Sequence, residues 1–338
     1  MPMLKPEVPR GIVHTLWLES TVLQHNPWND PTRRRIDVYL PPGVDLHSDK
    51  KFPVLYDLVG YTSGSPKHTA YTNFGENLPE RMDRMIHEGH TKPAVVVFPD
   101  CFTKLGGNQY INSASVGPWA DFLIQEVIPF IEEHAPVLPG RDHRGIFGKS
   151  SGGYGGIVHA MRYSEVWDAV ACHSGDMYFD FCYRTDFPTV LDTLAKHNRS
   201  IPEFIRYFHS AEKVTGDDFH TLMAIAMAAT YDPNEENPTD IRLPLDHYTG
   251  EFEEERWAEW LKHDPIYLVE ELGENLRELD LVYIDCGDQD QYHMVYGSRM
   301  LHQKLKSKEI DHIYEEFNDN HSKIDYRFDR SIPMLVDA

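Results

Sequence analysis

The sequence Gly148-Lys149-Ser150-Ser151-Gly152 could supply a nucleophile for acyl transfer. It satisfies the spacing G-x-S-x-G, in which a serine lies at the apex of a strained turn between a strand and a helix. Glycines two residues to either side remove the Cβ atoms that would otherwise clash in so tight a turn. The pattern therefore predicts Ser150 as an exposed nucleophile. Ser151 does not fit the pattern, because no glycine stands two positions before it.

Two other interpretations of this glycine-rich stretch need different surroundings. A phosphate-binding P-loop would place a glycine five residues before Gly148, but His143 occupies that position. A turn that only lets a helix approach a sheet would need no partner residues elsewhere in the chain. The choice between a nucleophile and a structural turn therefore depends on whether an acid and a base follow in suitable places.

Candidates for the acid and the base follow two later strand patterns. A serine hydroxyl is a weak nucleophile at neutral pH, and hydrolases activate it with a histidine that a carboxylate orients. Asp288 and Asp290 come directly after the apolar run that ends at Cys286, and His321 follows the last predicted strand. Both loops are expected at the carboxyl ends of parallel strands, where open α/β sheets place their sites. His321 is therefore the candidate base, and either aspartate could be the acid.

Acyl transfer also requires hydrogen-bond donors for the negative charge that develops on the carbonyl oxygen. The backbone N–H of Ser151, the residue after the nucleophile, is one expected donor. The second should come from the loop after the strand near residues 54–58, which reads Gly60-Tyr61-Thr62. We assign this oxyanion-hole position to the N–H of Tyr61, with that of Thr62 as the alternative.

Alternating strand and helix patterns are expected to position these loops. Two strand patterns, 11–20 and 33–40, flank a polar turn and predict an antiparallel pair at the N-terminal edge of a sheet. Later strand patterns alternate with helical ones, which is typical of a parallel sheet covered by helices on both faces. These later strands are predicted at 52–59, 94–98, 145–147, 168–174, 281–286 and 312–317.

The alternation of strands and helices is interrupted between residues 177 and 273. This stretch is rich in aromatic residues, and its helical patterns near 201–211, 220–230 and 253–263 are accompanied by no convincing strand. Strands resume at 281–286. We interpret 177–273 as a helical insertion, or lid, before the penultimate strand of a single domain that spans residues 1–338.

Charge and hydropathy exclude several classes of partner. Asp and Glu outnumber Lys and Arg by 54 to 32, which gives a net charge of −22. So acidic a surface repels nucleic acids and anionic lipid headgroups. The first ten residues lack the apolar core of a signal peptide, and no apolar run is long enough to span a bilayer. The expected location is the cytoplasm, and neither nucleic acid nor membrane is an expected partner.

Cysteine and histidine spacing predicts neither disulfides nor a metal. The four cysteines are widely scattered, and Cys172 and Cys286, each in an apolar run, are expected to be buried free thiols. The other two are Cys101 and Cys182. Although the chain has 19 histidines, none has the spacing of a metal-binding motif. No metal and no other cofactor is therefore expected.

The chain as a whole resembles the putative-esterase branch of the α/β-hydrolases, which includes S-formylglutathione hydrolases, feruloyl esterases and enterochelin-esterase-like proteins. In that family the acid is the later aspartate of a G-x-x-D loop, which implies Asp290 as the acid and His321 as the base. Family members commonly have a histidine or another neutral residue where this chain has Lys149, so the charge of the pocket is expected to differ. The stretches that carry the resemblance span most of the chain: 54–60, 97–100, 148–153, 287–290 and 320–322.

The resemblance implies an α/β-hydrolase fold and a metal-independent serine esterase. Such an enzyme would cleave a carboxylic ester through an acyl-enzyme on Ser150. A thioesterase resembling S-formylglutathione hydrolase, an acyltransferase and a non-catalytic scaffold are the alternatives. Four residues are further candidates for contacts with a small-molecule ester substrate: Tyr110, Asn112, Lys149 and Tyr178.

Overall fold

An eight-stranded sheet organises residues 7–338, the part of the chain that this computed structural model describes. Residues 1–6 lie outside the described residues. They include most of the first ten residues, in which the sequence predicts no signal peptide. The strands in chain order are β1 (Ile12–Glu19), β2 (Arg33–Leu40), β3 (Val54–Leu58), β4 (Val95–Pro99), β5 (Asn112–Ser113), β6 (Gly117–Pro118), β7 (Arg144–Lys149), β8 (Ala169–His173), β9 (Leu281–Gly287) and β10 (Ile313–Phe317).

The main sheet is mostly parallel, as the sequence predicts. Its strand order is β1-β2-β4-β3-β7-β8-β9-β10, while β5 and β6 form a separate short pair. Strand β2 is antiparallel to both β1 and β4, and the remaining neighbours in the sheet are parallel. The predicted antiparallel pair at the N-terminal edge is therefore confirmed, with Ile12 opposite Leu40.

The central strands are buried because helices cover both faces of the sheet. Every residue of β3, β4 and β8 is buried, which explains why these strands read as short, largely apolar runs. Side chains of the helices at 78–87 and 328–337 pack on one face together with Phe147. Further helices cover the opposite face. The predicted α/β arrangement is confirmed, and it leaves the loops at the strand ends free to form a site.

The helices begin and end close to the predicted positions where their patterns are periodic. A π-helical stretch, Phe122–Val127, joins the helix that begins at Trp119 to the one that ends at His134, so the helix is continuous but underwound in the middle. The helices in chain order are α1 (Leu78–His87), α2 (Trp119–Asp121), α3 (Ile128–His134), α4 (Ser151–Arg162), α5 (Phe179–Cys182), α6 (Phe187–Ala195), α7 (Ile201–Ser210), α8 (Gly216–Tyr231), α9 (Glu254–Leu261), α10 (Pro265–Leu272), α11 (Met294–Ser307) and α12 (Phe328–Asp337).

The chain between β8 and β9 is helical, from α5 to α10. The sequence predicts α7, α8 and α9 but misses α5, α6 and α10. Aromatic side chains form the interior of this segment, including Tyr231, Trp257 and Trp260, and the edge of the Trp260 ring packs against Tyr183. Its interpretation as a lid within a single domain stays a prediction.

Two smaller expectations concern thiols and membranes. All four cysteines are free and buried, which confirms the expectation for Cys172 and Cys286. Among the helices within residues 7–338, none combines the length and the apolarity needed to cross a membrane.

Candidate active site

Ser150 lies at the sharp turn that joins β7 to α4. Its backbone has φ 59° and ψ −127°, a conformation that side chains rarely adopt. A Cβ on Gly152 would lie 1.8 Å from the carbonyl oxygen of Leu58, and one on Gly148 would lie 2.3 Å from the same atom. Only glycine at these two positions lets the turn pack against the end of β3, so the predicted strand, turn and helix are confirmed.

The loop after β9 holds a carboxylate against the ring of His321. Nδ1 of His321 donates a hydrogen bond of 2.7 Å to Oδ2 of Asp290, and both side chains are buried. The other carboxylate oxygen, Oδ1, accepts from the backbone N–H of Tyr292 at 2.9 Å. These contacts fix the carboxylate and leave Nε2 of His321 for other partners. Asp288, the other predicted acid, is exposed on the surface.

A close backbone contact brings the histidine loop back to the aspartate loop. The last residue of β9 is Gly287, and a Cβ there would lie 2.3 Å from the carbonyl oxygen of Asp319. The chain after β10 therefore folds tightly over the end of β9. This contact places His321 at the end of β9. There the backbone N–H of His321 also donates to the Gln291 side chain at 2.9 Å.

Ser150 and His321 line one cavity of about 310 Å³ at the carboxyl ends of the parallel strands. The hydroxyl of Ser150 lies 3.4 Å from Oδ1 of Asp176, and within residues 7–338 no hydrogen bond joins it to His321. Side chains from α8 and from the start of α11 complete the wall. The residues that line the cavity include Gly60, Tyr61, Thr62, Lys67, His68, Lys149, Cys182, Tyr183, Phe219, His220, Met223, Tyr292, Met294, Ser322, Lys323 and Asp325.

The two predicted oxyanion donors lie close to Ser150. Ser151 is the first residue of α4, so its N–H has no partner four residues earlier in the helix. Tyr61 lines the cavity, and its hydroxyl donates to the carbonyl of Leu105 at 2.5 Å, which anchors the loop. Gly107 is packed against the same loop, because a Cβ there would lie 2.0 Å from the carbonyl oxygen of Tyr61. The backbone of Tyr61 is thus held from two sides.

Asp176 is a buried carboxylate at the site that sequence reasoning missed. Its Oδ2 accepts hydrogen bonds from the hydroxyls of Tyr183 at 2.7 Å and Ser151 at 2.9 Å, and Gln109 reaches it at 3.4 Å. Burial raises the pKa of Asp176 above the ordinary range, although these hydrogen bonds oppose the shift. The available signal was its position, three residues beyond the end of β8 at the same edge of the sheet as Ser150.

Of the four further candidates, Lys149 lines the cavity. The structure places the others elsewhere. Tyr110 is buried and its hydroxyl donates to the carbonyl of Val59 at 2.6 Å. The Asn112 side chain is exposed and accepts from the backbone N–H of Asp121. The half-buried Tyr178 precedes α5, and its backbone N–H donates to Asp264.

Buried and exposed acids and histidines elsewhere do not form a metal centre. Within residues 7–338, no three His, Cys, Asp or Glu side chains are grouped closely enough to bind a metal ion. The arrangement instead offers a hydroxyl, an imidazole held by a carboxylate, and backbone donors around a cavity, which are the groups that acyl transfer requires.

Comparison with known proteins shows the family of this chain. The family model described as "Putative esterase" matches residues 31–331. The chain belongs to this esterase family. Two curated relatives, Esterase MT1326 and Esterase Rv1288 of Mycobacterium tuberculosis, are each 34% identical over 90 residues. Those residues make up 25% of this chain and 19% of each relative, so the match spans about a fifth of the relatives' length.

Solved structures show that this chain shares its fold with serine hydrolases. A ferulic acid esterase superposes with a TM-score of 0.64 at 19% identity, covering 97% of this chain and 98% of the other. The fluorophosphonate-binding serine hydrolase FphF of Staphylococcus aureus gives 0.60 at 16%, with 97% and 99% covered. The S-formylglutathione hydrolase FrmB of Staphylococcus aureus gives 0.59 at 16%, also with 97% and 99% covered.

Proposed function

We propose that this esterase family member is a serine hydrolase that cleaves carboxylic esters through an acyl-enzyme on Ser150. The observation that carries the proposal is the 2.7 Å hydrogen bond from His321 Nδ1 to Asp290, made by a histidine that lines the same cavity as Ser150. A carboxylate on Nδ1 fixes the tautomer in which Nε2 can accept a proton.

In the first half-reaction, Nε2 of His321 takes the hydroxyl proton of Ser150 while Oγ attacks the ester carbonyl. The carbonyl oxygen becomes negatively charged and accepts hydrogen bonds from the N–H groups of Tyr61 and Ser151. When the tetrahedral intermediate collapses, the bond to the alcohol oxygen breaks and the alcohol takes the proton from His321. Asp290 stays ionised and stabilises the imidazolium that forms in between.

In the second half-reaction, a water molecule replaces the alcohol. His321 takes one of its protons, and the resulting hydroxide attacks the acyl carbon. The same two N–H groups stabilise the second oxyanion. Collapse returns the proton to Ser150 Oγ and releases the carboxylic acid, so the enzyme is regenerated without a metal or another cofactor.

The Ser150 hydroxyl must leave Asp176 for this chemistry to begin. At 3.4 Å its hydrogen bond to Asp176 is long, so a rotation about χ1 gives up little energy. Catalytic hydrogen bonds are often long or misaligned before substrate binds. We infer that substrate occupancy of the cavity turns the hydroxyl toward His321.

A fluorophosphonate probe tests the nucleophile directly. Wild-type protein should gain one covalent label on the peptide that contains Ser150, and Ser150→Ala should gain none and should lose hydrolysis of p-nitrophenyl acetate. Ser151→Ala is the matched variant, because it removes the neighbouring hydroxyl and keeps the backbone N–H; its label should still map to Ser150. A label on Ser151, or ester hydrolysis retained by folded Ser150→Ala, would overturn the assignment.

Thioester hydrolysis is the second candidate function. It is supported by the similarity in fold to S-formylglutathione hydrolases and requires the same acyl-enzyme. A substrate panel that pairs S-formylglutathione with formate and acetate esters separates the two: a kcat/KM at least 100-fold higher for the thioester would replace the ester assignment.

A further inference from the structure

The cavity beside Ser150 reverses the charge balance of the chain. Acidic residues outnumber basic ones by 54 to 32 in the whole protein. Around this cavity three lysines, Lys67, Lys149 and Lys323, face two acidic side chains, Asp176 and Asp325. Burial raises the pKa of Asp176, which further weakens the negative side of this balance. A locally cationic cavity in so acidic a protein selects for negatively charged ligands.

In the described part of the chain, the half-buried Lys149 forms no ion pair, and the acidic charges that act on it are those of Asp325 and Asp290. Lys67 and Lys323 are exposed. Within residues 7–338, neither they nor Lys149 has a carboxylate oxygen within 4.0 Å of the ammonium nitrogen. Arg84, which lines an adjoining cavity, is neutralised because it pairs with both Glu76 and Asp329. Burial lowers the pKa of Lys149, and the charge of Asp325 opposes that shift. A desolvated ammonium without a partner is costly, and an incoming anion would offset this cost.

The position of Lys149 brings its charge next to the reacting atoms. It is the last residue of β7 and directly precedes Ser150. Side chains two apart on a strand share a face, so Lys149 lies on the side of the sheet occupied by Phe147 and α12. Both Lys149 and Ser150 line the same cavity. An ester held at Ser150 can therefore place a second polar group against this ammonium.

The positive wall continues into an adjoining cavity of about 860 Å³. Lys67, His68 and Lys323 line both cavities. His68 adds no net positive charge, because the Asp57 carboxylate lies 2.5 Å from its Nδ1; although burial disfavours the protonated ring, that carboxylate raises the pKa of His68 above the ordinary value. Lys67 and Lys323 thus extend from the cavity at Ser150 into the adjoining one, and Asp325 is the acidic residue that lines both.

We propose that Lys149, supported by Lys67 and Lys323, binds a carboxylate carried by the substrate, so that the preferred substrates are anionic esters. The inference rests on the proposed function, because it concerns the substrate class of the same site. The carboxylate could belong to the acyl part or to the alcohol part of the ester. Two matched substrate pairs distinguish these sources.

The acyl pair is the mono-4-nitrophenyl ester of adipic acid against 4-nitrophenyl hexanoate. The alcohol pair is 4-acetoxybenzoate against 4-acetoxybenzamide. Within each pair the acyl or alcohol framework is similar and the charge differs. Wild-type protein should prefer the anionic member of at least one pair by about 10-fold or more in kcat/KM, as expected for a charged hydrogen bond. That preference should fall as ionic strength rises.

Three variants assign the preference to one ammonium. Lys149→Met should lower the anionic-to-neutral ratio of kcat/KM by about 10- to 100-fold, chiefly through KM. Lys149→Arg keeps the charge and should retain most of the ratio. Lys196→Met is the matched control, because Lys196 is an exposed lysine that lines neither cavity; its ratio should equal that of the wild type.

Binding to Ser150→Ala separates this proposal from the proposed function. This variant cannot acylate, and calorimetry should show that it binds mono-4-nitrophenyl adipate or 4-acetoxybenzoate more tightly than the neutral partner. Adding Lys149→Met should abolish that difference. If no ester is hydrolysed but Lys149-dependent anion binding persists, the esterase proposal fails and the anion site stands. If folded Lys149→Met keeps the wild-type ratio, or wild-type protein shows no anionic preference in either pair, the anion site is refuted.

Discussion

His321 donates from Nδ1 to Oδ2 of Asp290 at 2.7 Å, and the carboxylate that receives this hydrogen bond is fixed in turn by the backbone N–H of Tyr292. The imidazole is therefore oriented by a chain of contacts that begins in the loop after β9. Asp288 lies two residues earlier in that loop and takes no part in the chain of contacts, since its side chain is exposed.

Asp290→Asn should lower kcat for ester hydrolysis by about 10³- to 10⁴-fold while leaving the fold intact, because an amide does not hold the imidazole in the required tautomer. Stopped-flow or steady-state assays of p-nitrophenyl acetate hydrolysis measure this loss. Asp288→Asn is the matched control and should retain wild-type kcat. Equal losses in the two variants would show that the loop, not the carboxylate of Asp290, matters.

Gly152→Ala should destabilise the protein, since its Cβ would lie 1.8 Å from the carbonyl oxygen of Leu58. We expect a loss of at least about 3 kcal/mol in the free energy of unfolding. Gly156→Ala in the same helix is the control: its Cβ would lie 3.5 Å from Val170, an ordinary contact, and it should be neutral or stabilise by about 0.5 kcal/mol. Urea unfolding of both variants tests the contrast, which equal stabilities would contradict.

Asp176→Ala should lower the free energy of unfolding by about 2 kcal/mol, because the buried hydroxyls of Ser151 and Tyr183 lose their common acceptor. Asp176→Asn keeps an acceptor oxygen in the same place and should cost less. Chemical unfolding monitored by tryptophan fluorescence compares the two. A wild-type stability for Asp176→Ala would mean that desolvating this carboxylate costs as much as its hydrogen bonds contribute.

His159 should make the protein less stable as the pH falls below neutral. Burial lowers the pKa of this histidine from 6.5 to about 4, and Nε2 donates to the carbonyl of Tyr110 while Nδ1 accepts from Trp167. In the unfolded chain His159 binds a proton below about pH 6.5, but in the folded chain it does so only near pH 4. The free energy of unfolding therefore falls as the pH drops from 6.5 toward 4. Between pH 7.5 and 5 the loss is about 2 kcal/mol.

The variant His159→Gln isolates this contribution from that of the other histidines. Unfolding free energies of wild type and variant, measured in urea at pH 7.5 and pH 5, should differ in their pH dependence by that amount. Parallel curves for the two proteins would show that His159 does not titrate between the folded and unfolded states as described.

The sequence predicts most of the sheet because hydrophobic patterns repeat every two residues or run without interruption, and β2 is predicted at both ends, Arg33 and Leu40. The sequence predicts the strand-to-helix turn at Ser150 equally well, because the turn leaves no room for a Cβ at Gly148 or Gly152. A helix as short as α5, which has four residues, contains too few turns to show a period. Contacts between residues distant in sequence are harder to predict than elements. The residues around Asp176 do not indicate that Ser151 and Tyr183 both donate to its carboxylate.

The same reasoning applies to the candidate substrate contacts. Tyr110 and Asn112 follow a strand and are polar, but the chain uses them for its own backbone, at Val59 and Asp121. Which polar side chains meet a ligand is decided by packing between elements distant in sequence. Lys149 adjoins the turn at Ser150, where local spacing fixes the geometry, and it lines the cavity.

The pairing of β8 with β9 has a consequence for the order in which the molecule assembles. Ala169 lies opposite Leu281, so these adjacent strands are joined by residues more than one hundred positions apart. Closing so long a loop costs more entropy than closing the short connections before it, and contacts of this kind slow folding. During synthesis the half of the sheet that bears Ser150 can therefore form while β8 is still an unpaired edge open to aggregation. The arrival of β9 and β10 covers that edge and delivers Asp290 and His321 in the same step.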